Sequence, residues 1–289
     1  MRICLRCQGA LGEKEWRCDT CGFRPSTIDG FPAFAPELAA SNEGYDDVYY
    51  GRLHALEAGN YWFRSRNALV IWALKKYFPN ARAFLEIGCG TGFVLSGIAS
   101  AMPNLAMHAS EISSRGLPYA AQRVPRAELF QMDARAIPFA DHFDTIGIFD
   151  VLEHIEDDAL VLAQAHRALR RGGGLIITVP QHPFLWSRYD EHAHHVRRYR
   201  ARELREKLLG SDFRIVMMTS FVSLLLPLMM LSRLTRRAPR RGYDVLAELR
   251  VGRLTNFVLQ SVLALERALI AIGVGFPVGG SLLVVARRD

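Results

Sequence analysis

The 289-residue sequence predicts an α/β fold built on a doubly wound parallel sheet. Three observations predict it. From Ala81 onward, short apolar runs alternate with helical stretches. A glycine-rich turn follows the first of those runs directly. The composition, 50% hydrophobic, supplies a sizeable core and excludes global disorder.

The elements follow in order. AFLEI (83–87) reads as a strand, Gly92–Ala101 as a helix and LAMHA (105–109) as a strand. A helix near 113–123 precedes strands at AELFQ (127–131) and FDTIGIF (143–149). A helix over 155–170 and the strand GLIITV (174–179) come next, then a helix from about Ala201 and the strand FRIVMMTS (213–220). Ahead of this core, GNYWFRSRNALVIWALKKYF (59–78) turns helical, with Leu69, Val70, Ala73, Leu74 and Tyr77 on one face.

At the N-terminus, Cys4, Cys7, Cys18 and Cys21 form C-x2-C-x10-C-x2-C. Two such knuckles can set four thiolates around a tetrahedral Zn²⁺. All four positions are filled by protein, so the metal is expected to be structural, and to supply the folding energy of so small a module. Two disulfides are the alternative, disfavoured in a reducing compartment. The opening MRICLRCQGA lacks an apolar signal core, and no uncharged apolar run reaches the ~18 residues of a bilayer span. A cytoplasmic location is the expectation. The net charge of +7 hints at anionic partners, but 32 of the 36 basic residues are Arg, a skew that a solvated surface explains as well.

The chemistry gathers at strand ends. Glu86-Ile87-Gly88-Cys89-Gly90-Thr91-Gly92 has G-x-G-x-G spacing; a dinucleotide fingerprint needs a third glycine where Phe93 stands. Glu111 ends the second strand, where a carboxylate can accept both hydroxyls of a ribose. Asp133 follows the third strand and Asp150-Val151-Leu152-Glu153-His154-Ile155 the fourth.

This ordered set, EIGCGTG (86–92), Glu111, MDA (132–134) and DVLEHI (150–155), resembles the class I S-adenosylmethionine-dependent methyltransferases over roughly residues 60–219. The resemblance implies a seven-stranded Rossmann-like sheet whose last strand, GGSLLVVARRD, is antiparallel. It implies cofactor contacts at Glu86, Gly88, Cys89, Gly90, Gly92, Glu111, Ile112, Asp133, Ala134 and Asp150, with S-adenosylhomocysteine as product. Gly88 and Gly90 would face the methionine part, Glu111 the ribose, Asp133 and Ala134 the adenine, and Asp150 the sulfonium end. Helix capping alone would also favour acids at these positions. Tyr61, Trp62 and Arg66, in the pre-core helix, are candidates for the wall of the pocket.

The segment QHPFLWSRYDEHAHHVRRY (181–199) leaves the fifth strand on the acceptor side. His182 and His195 are candidate general bases, and Asp150 joins them as a catalytic candidate. Asp190, His195, Arg198 and Tyr199 resemble the D-x(n)-H-x-R-R-Y pattern of one bacterial branch, where they would order the loop or hold an anionic acceptor. His192-x-His194-His195 lacks the i, i+4 spacing of a helical metal site, which argues against a metal there.

Before the last strand, FVSLLLPLMMLSRL (221–234) and five arginines (233, 236, 237, 240, 241) read as an interfacial anchor on anionic lipid. A helix-like stretch to Ile272 carries Leu246, Leu249, Leu254, Val258, Val262, Leu265 and Leu269 on one stripe; core packing or a homodimer interface are the alternatives. The expected organisation is a zinc ribbon (1–36), a helical segment covering the cofactor (37–82), the core (83–219 plus 280–289) and a helical insertion (220–279). The expected function is methyl transfer to a small-molecule or lipid-linked acceptor, with peripheral membrane contact through 221–241 at the inner face of the membrane. An RNA methyltransferase reading through the ribbon, and a non-catalytic cofactor-binding scaffold, remain as alternatives.

Overall fold

The computed structural model describes residues 1–12, 15–39, 47–235, 246 and 250–289. Seven strands form the central sheet: β3 (Ala83–Ile87), β4 (Ala106–Glu111), β5 (Glu128–Gln131), β6 (Phe143–Phe149), β7 (Leu169–Pro180), β8 (Phe213–Phe221) and β9 (Ser281–Arg288). Their order is β5-β4-β3-β6-β7-β9-β8. The first five run parallel, and β9 lies antiparallel between β7 and β8. The order reverses direction between β3 and β6, so a crevice opens beyond their C-terminal ends.

The expected sheet of seven strands is corrected to nine. A short hairpin, β1 (Ser26–Ile28) and β2 (Phe31–Ala33), extends the β5 edge. Part of the segment expected to belong to the zinc ribbon (1–36) thus becomes sheet. Gln131 fixes it: its side-chain amide accepts from Ala35 N–H and donates to the Ala35 carbonyl.

Helices cover both faces. On one, α2 (Tyr61–Tyr77), α3 (Phe93–Ala101), α4 (Leu117–Arg123) and α9 (Arg253–Ala271) bury Leu74, Leu95, Ala120 and Ile270. On the other, α5 (Asp158–Ala168) and α7 (Ala201–Gly210) bury Leu162 and Leu204. α1 (Asp47–Glu57) precedes α2, α6 (Arg188–His192) lies in the loop after β7, and α8 (Leu226–Thr235) follows β8. The cysteine module docks on the second face. Trp16 is turned inward against Phe34, Phe130 and Phe139, and the Arg2 guanidinium covers its ring at 4.1 Å.

The stripe read on the insertion lies in large part on the outer face of α9: Leu254, Val258 and Leu265 are exposed, whereas Leu263, Glu266 and Ile270 are buried. α9 is also long and apolar enough to cross a membrane, by length and composition. The sequence predicts no such span on the criterion of an uncharged apolar run, which Glu266 and Arg267 interrupt in α9. Of the anchor arginines, Arg236, Arg237, Arg240 and Arg241 lie outside the described residues, as does Leu249.

Candidate active site

A cavity of about 1170 Å³ opens over the C-terminal ends of β3, β4, β5 and β6. The loop after β3 forms its floor. Gly88, Gly90 and Gly92 have φ of 72°, 52° and 76°, in the left-handed region that glycine enters at no steric cost. A Cβ on Gly88 would stand 2.3 Å from Val151, and one on Gly92 2.7 Å from the Ala120 backbone. Backbone at the loop is therefore bare on the cavity side and pressed against α4 behind. All the residues expected to contact cofactor line the cavity except Gly92, which caps α3 instead.

Glu111 closes the loop from β4. It is 8% exposed, and its carboxylate accepts from the backbone N–H of Gly90 at 2.7 Å and of Ile112 at 2.9 Å. Burial raises this carboxyl and the backbone donors oppose the rise. Glu86 is buried with one carboxylate oxygen lacking a partner, and burial, opposed by Arg66, holds it well above the usual range. Asp133 is engaged by Arg135, whose guanidinium approaches to 2.8 Å. Asp150, with φ of 56°, pairs with Arg66, and Arg66 stacks at 4.5 Å on Trp62. Tyr61, Trp62 and Arg66 all line the cavity.

The 181–199 segment divides. His195 and Arg198 line the cavity; His182, Asp190 and Tyr199 do not. His182 stacks on Phe184 at 4.9 Å, and burial lowers its pKa. Tyr199 is fully buried, donating to Asp158 at 2.6 Å. Asp190 is fully buried too: its carboxylate accepts from Arg198 Nε at 2.7 Å and lies 2.9 Å from His195 Nδ1. Burial alone would raise Asp190; those two partners hold it well below the ordinary carboxylate range.

Sequence reasoning missed several residues. Glu57 of α1 accepts from Arg123 at 2.6 Å, and both bond Thr91, tying α1 to the glycine loop. Leu225, just before α8, Met229 of α8 and Leu259 of α9 form a cavity wall. Glu153 and His154 line it as well. They stood inside the quoted DVLEHI motif, but their partner, His195, is some forty residues away in sequence.

The four cysteines converge. Cys4 and Cys21 sulfurs are 3.7 Å apart, and Cys7 and Cys18 sulfurs 3.4 Å. A tetrahedron with Zn–S bonds near 2.3 Å has edges of about 3.8 Å. The set fits zinc.

Comparison with known proteins agrees with this geometry. Residues 85–177 match the methyltransferase domain family. A protein of Mycobacterium tuberculosis named "Probable S-adenosylmethionine-dependent methyltransferase" is 30% identical over 161 residues, 55% of this chain and 57% of that one. The chain thus spans a little over half the length of that relative. The structure of Haemonchus contortus phosphoethanolamine N-methyltransferase 2 with S-adenosyl-L-methionine aligns with TM-score 0.59 at 20% identity, over 86% of this chain and 59% of that one. The [4+2]-cyclase SpnF aligns with TM-score 0.53 at 17% identity, over 79% and 83%. The fold is that of Rossmann-like methyltransferases. A cyclase among its neighbours means that the fold does not by itself fix the reaction.

Proposed function

We propose that this protein is an S-adenosylmethionine-dependent methyltransferase acting on a small-molecule or lipid-linked acceptor by in-line transfer. The observation that carries the reading is Glu111: a buried carboxylate at the end of β4, clasping the bare glycine loop at the edge of the cavity. When bound, the cofactor supplies an electrophilic methyl on a sulfonium. Glu111 would hold the ribose hydroxyls, Asp133 and Ala134 the adenine edge, and the unpartnered Glu86 oxygen the cationic amino end. Gly88 and Gly90 leave room for the methionine part. The apolar wall from α8 and α9 excludes water from the acceptor side, and alignment of nucleophile, methyl and sulfur does most of the catalysis. That wall favours an acceptor with an apolar body, and the exposed outer face of α9 favours one presented at a membrane, at its inner face. The cysteine module would hold a structural zinc. The RNA reading is not favoured: Trp16, the aromatic between the two cysteine knuckles, is turned inward.

The test is calorimetric titration with S-adenosylhomocysteine. Wild-type protein should bind, and Glu111→Gln should weaken binding by roughly ten- to hundredfold, the worth of a charge-assisted hydrogen bond. No heat from wild-type protein at high micromolar ligand sinks the proposal.

A further inference from the structure

Across the cavity from the glycine loop, Glu153 sits in the short turn after β6. It is 0% exposed, faces the cavity, and neither carboxylate oxygen has a hydrogen-bond partner. A bare buried carboxylate costs several kcal/mol. Two imidazoles stand beside it. His154 and His195 have ring centroids 4.7 Å apart, and His195 Nε2 is 4.0 Å from Glu153 Oε1. One ligand atom from each of the three residues lies within 4.8 Å of the others. These separations are too long for hydrogen bonds. Two donors each about 2.1 Å from one ion would stand roughly 3–4 Å apart.

The surroundings orient the donors. His195 Nδ1 is 2.9 Å from Asp190 Oδ1, which fixes its other nitrogen toward Glu153. Asp190 is in turn held by Arg198 and by the backbone and hydroxyl of Ser187. Backbone groups of Ala193 and His194 hydrogen-bond the His154 ring. A carboxylate or carbonyl behind each imidazole is the arrangement that sets tautomer and basicity in metal-ligating histidines. Asp150 and Asp190 are each paired with a guanidinium, of Arg66 and Arg198, whereas Glu153 is paired with neither.

We infer that Glu153, His154 and His195 bind a divalent transition-metal cation whose open coordination positions face the methyl-transfer cavity. Binding stands on the donor set alone; its use rests on the methyl-transfer reading. Two imidazoles and one carboxylate suit ions of the Mn²⁺–Zn²⁺ series, and three protein ligands leave room for a substrate. The acceptor class that follows is a hydroxyl compound, alcohol or phenol, whose oxygen joins the ion. Metal coordination eases loss of the hydroxyl proton to solvent. The oxygen lone pair then bonds to the methyl carbon of the sulfonium cofactor. The carbon–sulfur bond breaks, its electron pair stays on sulfur, and the products are a methyl ether and a neutral thioether. The site is not legible in the sequence, because His195 reaches Glu153 and His154 from another loop some forty residues away.

The experiment is titration of the full chain, its cysteine module loaded with zinc, with Mn²⁺ followed by electron paramagnetic resonance, without cofactor. Mn²⁺ avoids thiolates, so it reports the imidazole–carboxylate site. About one ion per chain should bind. Glu153→Gln and His195→Ala should each weaken binding at least tenfold. Glu153→Gln keeps shape and removes a buried charge, so it should fold, and it should bind S-adenosylhomocysteine within twofold of wild type. Mn²⁺ should raise the Tm of wild type and not of Glu153→Gln. Absence of Mn²⁺ and Co²⁺ binding by wild type, or binding unchanged in Glu153→Gln, overturns the metal site and leaves methyl transfer standing. Failure of S-adenosylhomocysteine binding with metal binding intact does the reverse.

Discussion

At the scale of single residues, position in the cavity separates two histidines that look alike in sequence. His182 and His195 both follow β7, and the sequence offered both as bases. The chain turns at His182 with φ of 64°, and the ring leaves to stack on Phe184. His182→Ala should therefore keep turnover within about twofold of wild type, whereas His195→Ala should lose it; steady-state kinetics decides. Another histidine contributes to acid stability. His142 packs between Phe139 and Phe143, and burial lowers its pKa to about 4. With a folded pKa below the unfolded value near 6.5, the unfolded chain binds the extra proton in that window. The stability from neutral His142 is present above pH 6.5 and is lost as pH falls toward 4. Between pH 7 and 5 the loss should be roughly 1 kcal/mol, discounted because the ring is half-exposed. His142→Phe should flatten the pH dependence of the urea midpoint over that range. An unchanged slope would remove His142 from the account.

At the scale of elements, α9 is placed by few polar contacts. The Asn256 side chain accepts from Tyr61 N–H at 2.8 Å and donates to the Gly59 carbonyl at 3.0 Å, joining the start of α9 to the start of α2. Glu266, buried at the far end, accepts from Leu224 N–H at 2.8 Å and so ties α9 to the approach to α8. Asn256→Ala should cost about 1–2 kcal/mol of stability and loosen the acceptor wall. Turnover should fall several-fold while S-adenosylhomocysteine affinity holds, because the cofactor floor belongs to β3 and β4; equal losses in both would show that α9 supports the whole cavity. The strands were legible because buried parallel strands are short, mostly apolar runs, and FDTIGIF is buried at six of its seven positions. β1 and β2 were not, since three residues carry no period. Ala33 and Phe34 become edge structure through contacts with β5 and Trp16 that lie about a hundred residues away in sequence or across the module. The cofactor floor was legible for the opposite reason: GCGTG is one loop, and its partner Glu111 ends the next strand. Glu57 with Arg123, and Glu153 with His195, join distant segments, and only the fold brings them together.

For the whole molecule, the distribution of apolar surface sets the last expectation. Leu254, Phe257, Leu265 and Ile272 of α9 are 77%, 69%, 58% and 79% exposed, and Leu228 and Leu231 of α8 more than half. Monomeric proteins seldom leave so continuous an apolar face in water. The face continues into the cavity, since exposed Leu228 and Thr255 also line it. In sequence, Arg236, Arg237, Arg240 and Arg241 lie between the two helices, and each arginine near an anionic bilayer is worth about 1 kcal/mol. An acidic lipid surface thus answers both the apolar face and the charge, and would present a lipid-linked acceptor at the mouth of the cavity. The protein should co-sediment with phosphatidylglycerol vesicles and much less with phosphatidylcholine vesicles. Leu254→Ser with Phe257→Ser should reduce the bound fraction by about tenfold and leave S-adenosylhomocysteine affinity unchanged, because neither side chain lines the cavity. Recovery in the supernatant with both vesicle types would sink the membrane assignment. A dimer in light scattering that the double variant makes monomeric would assign the face to a second copy of the chain instead.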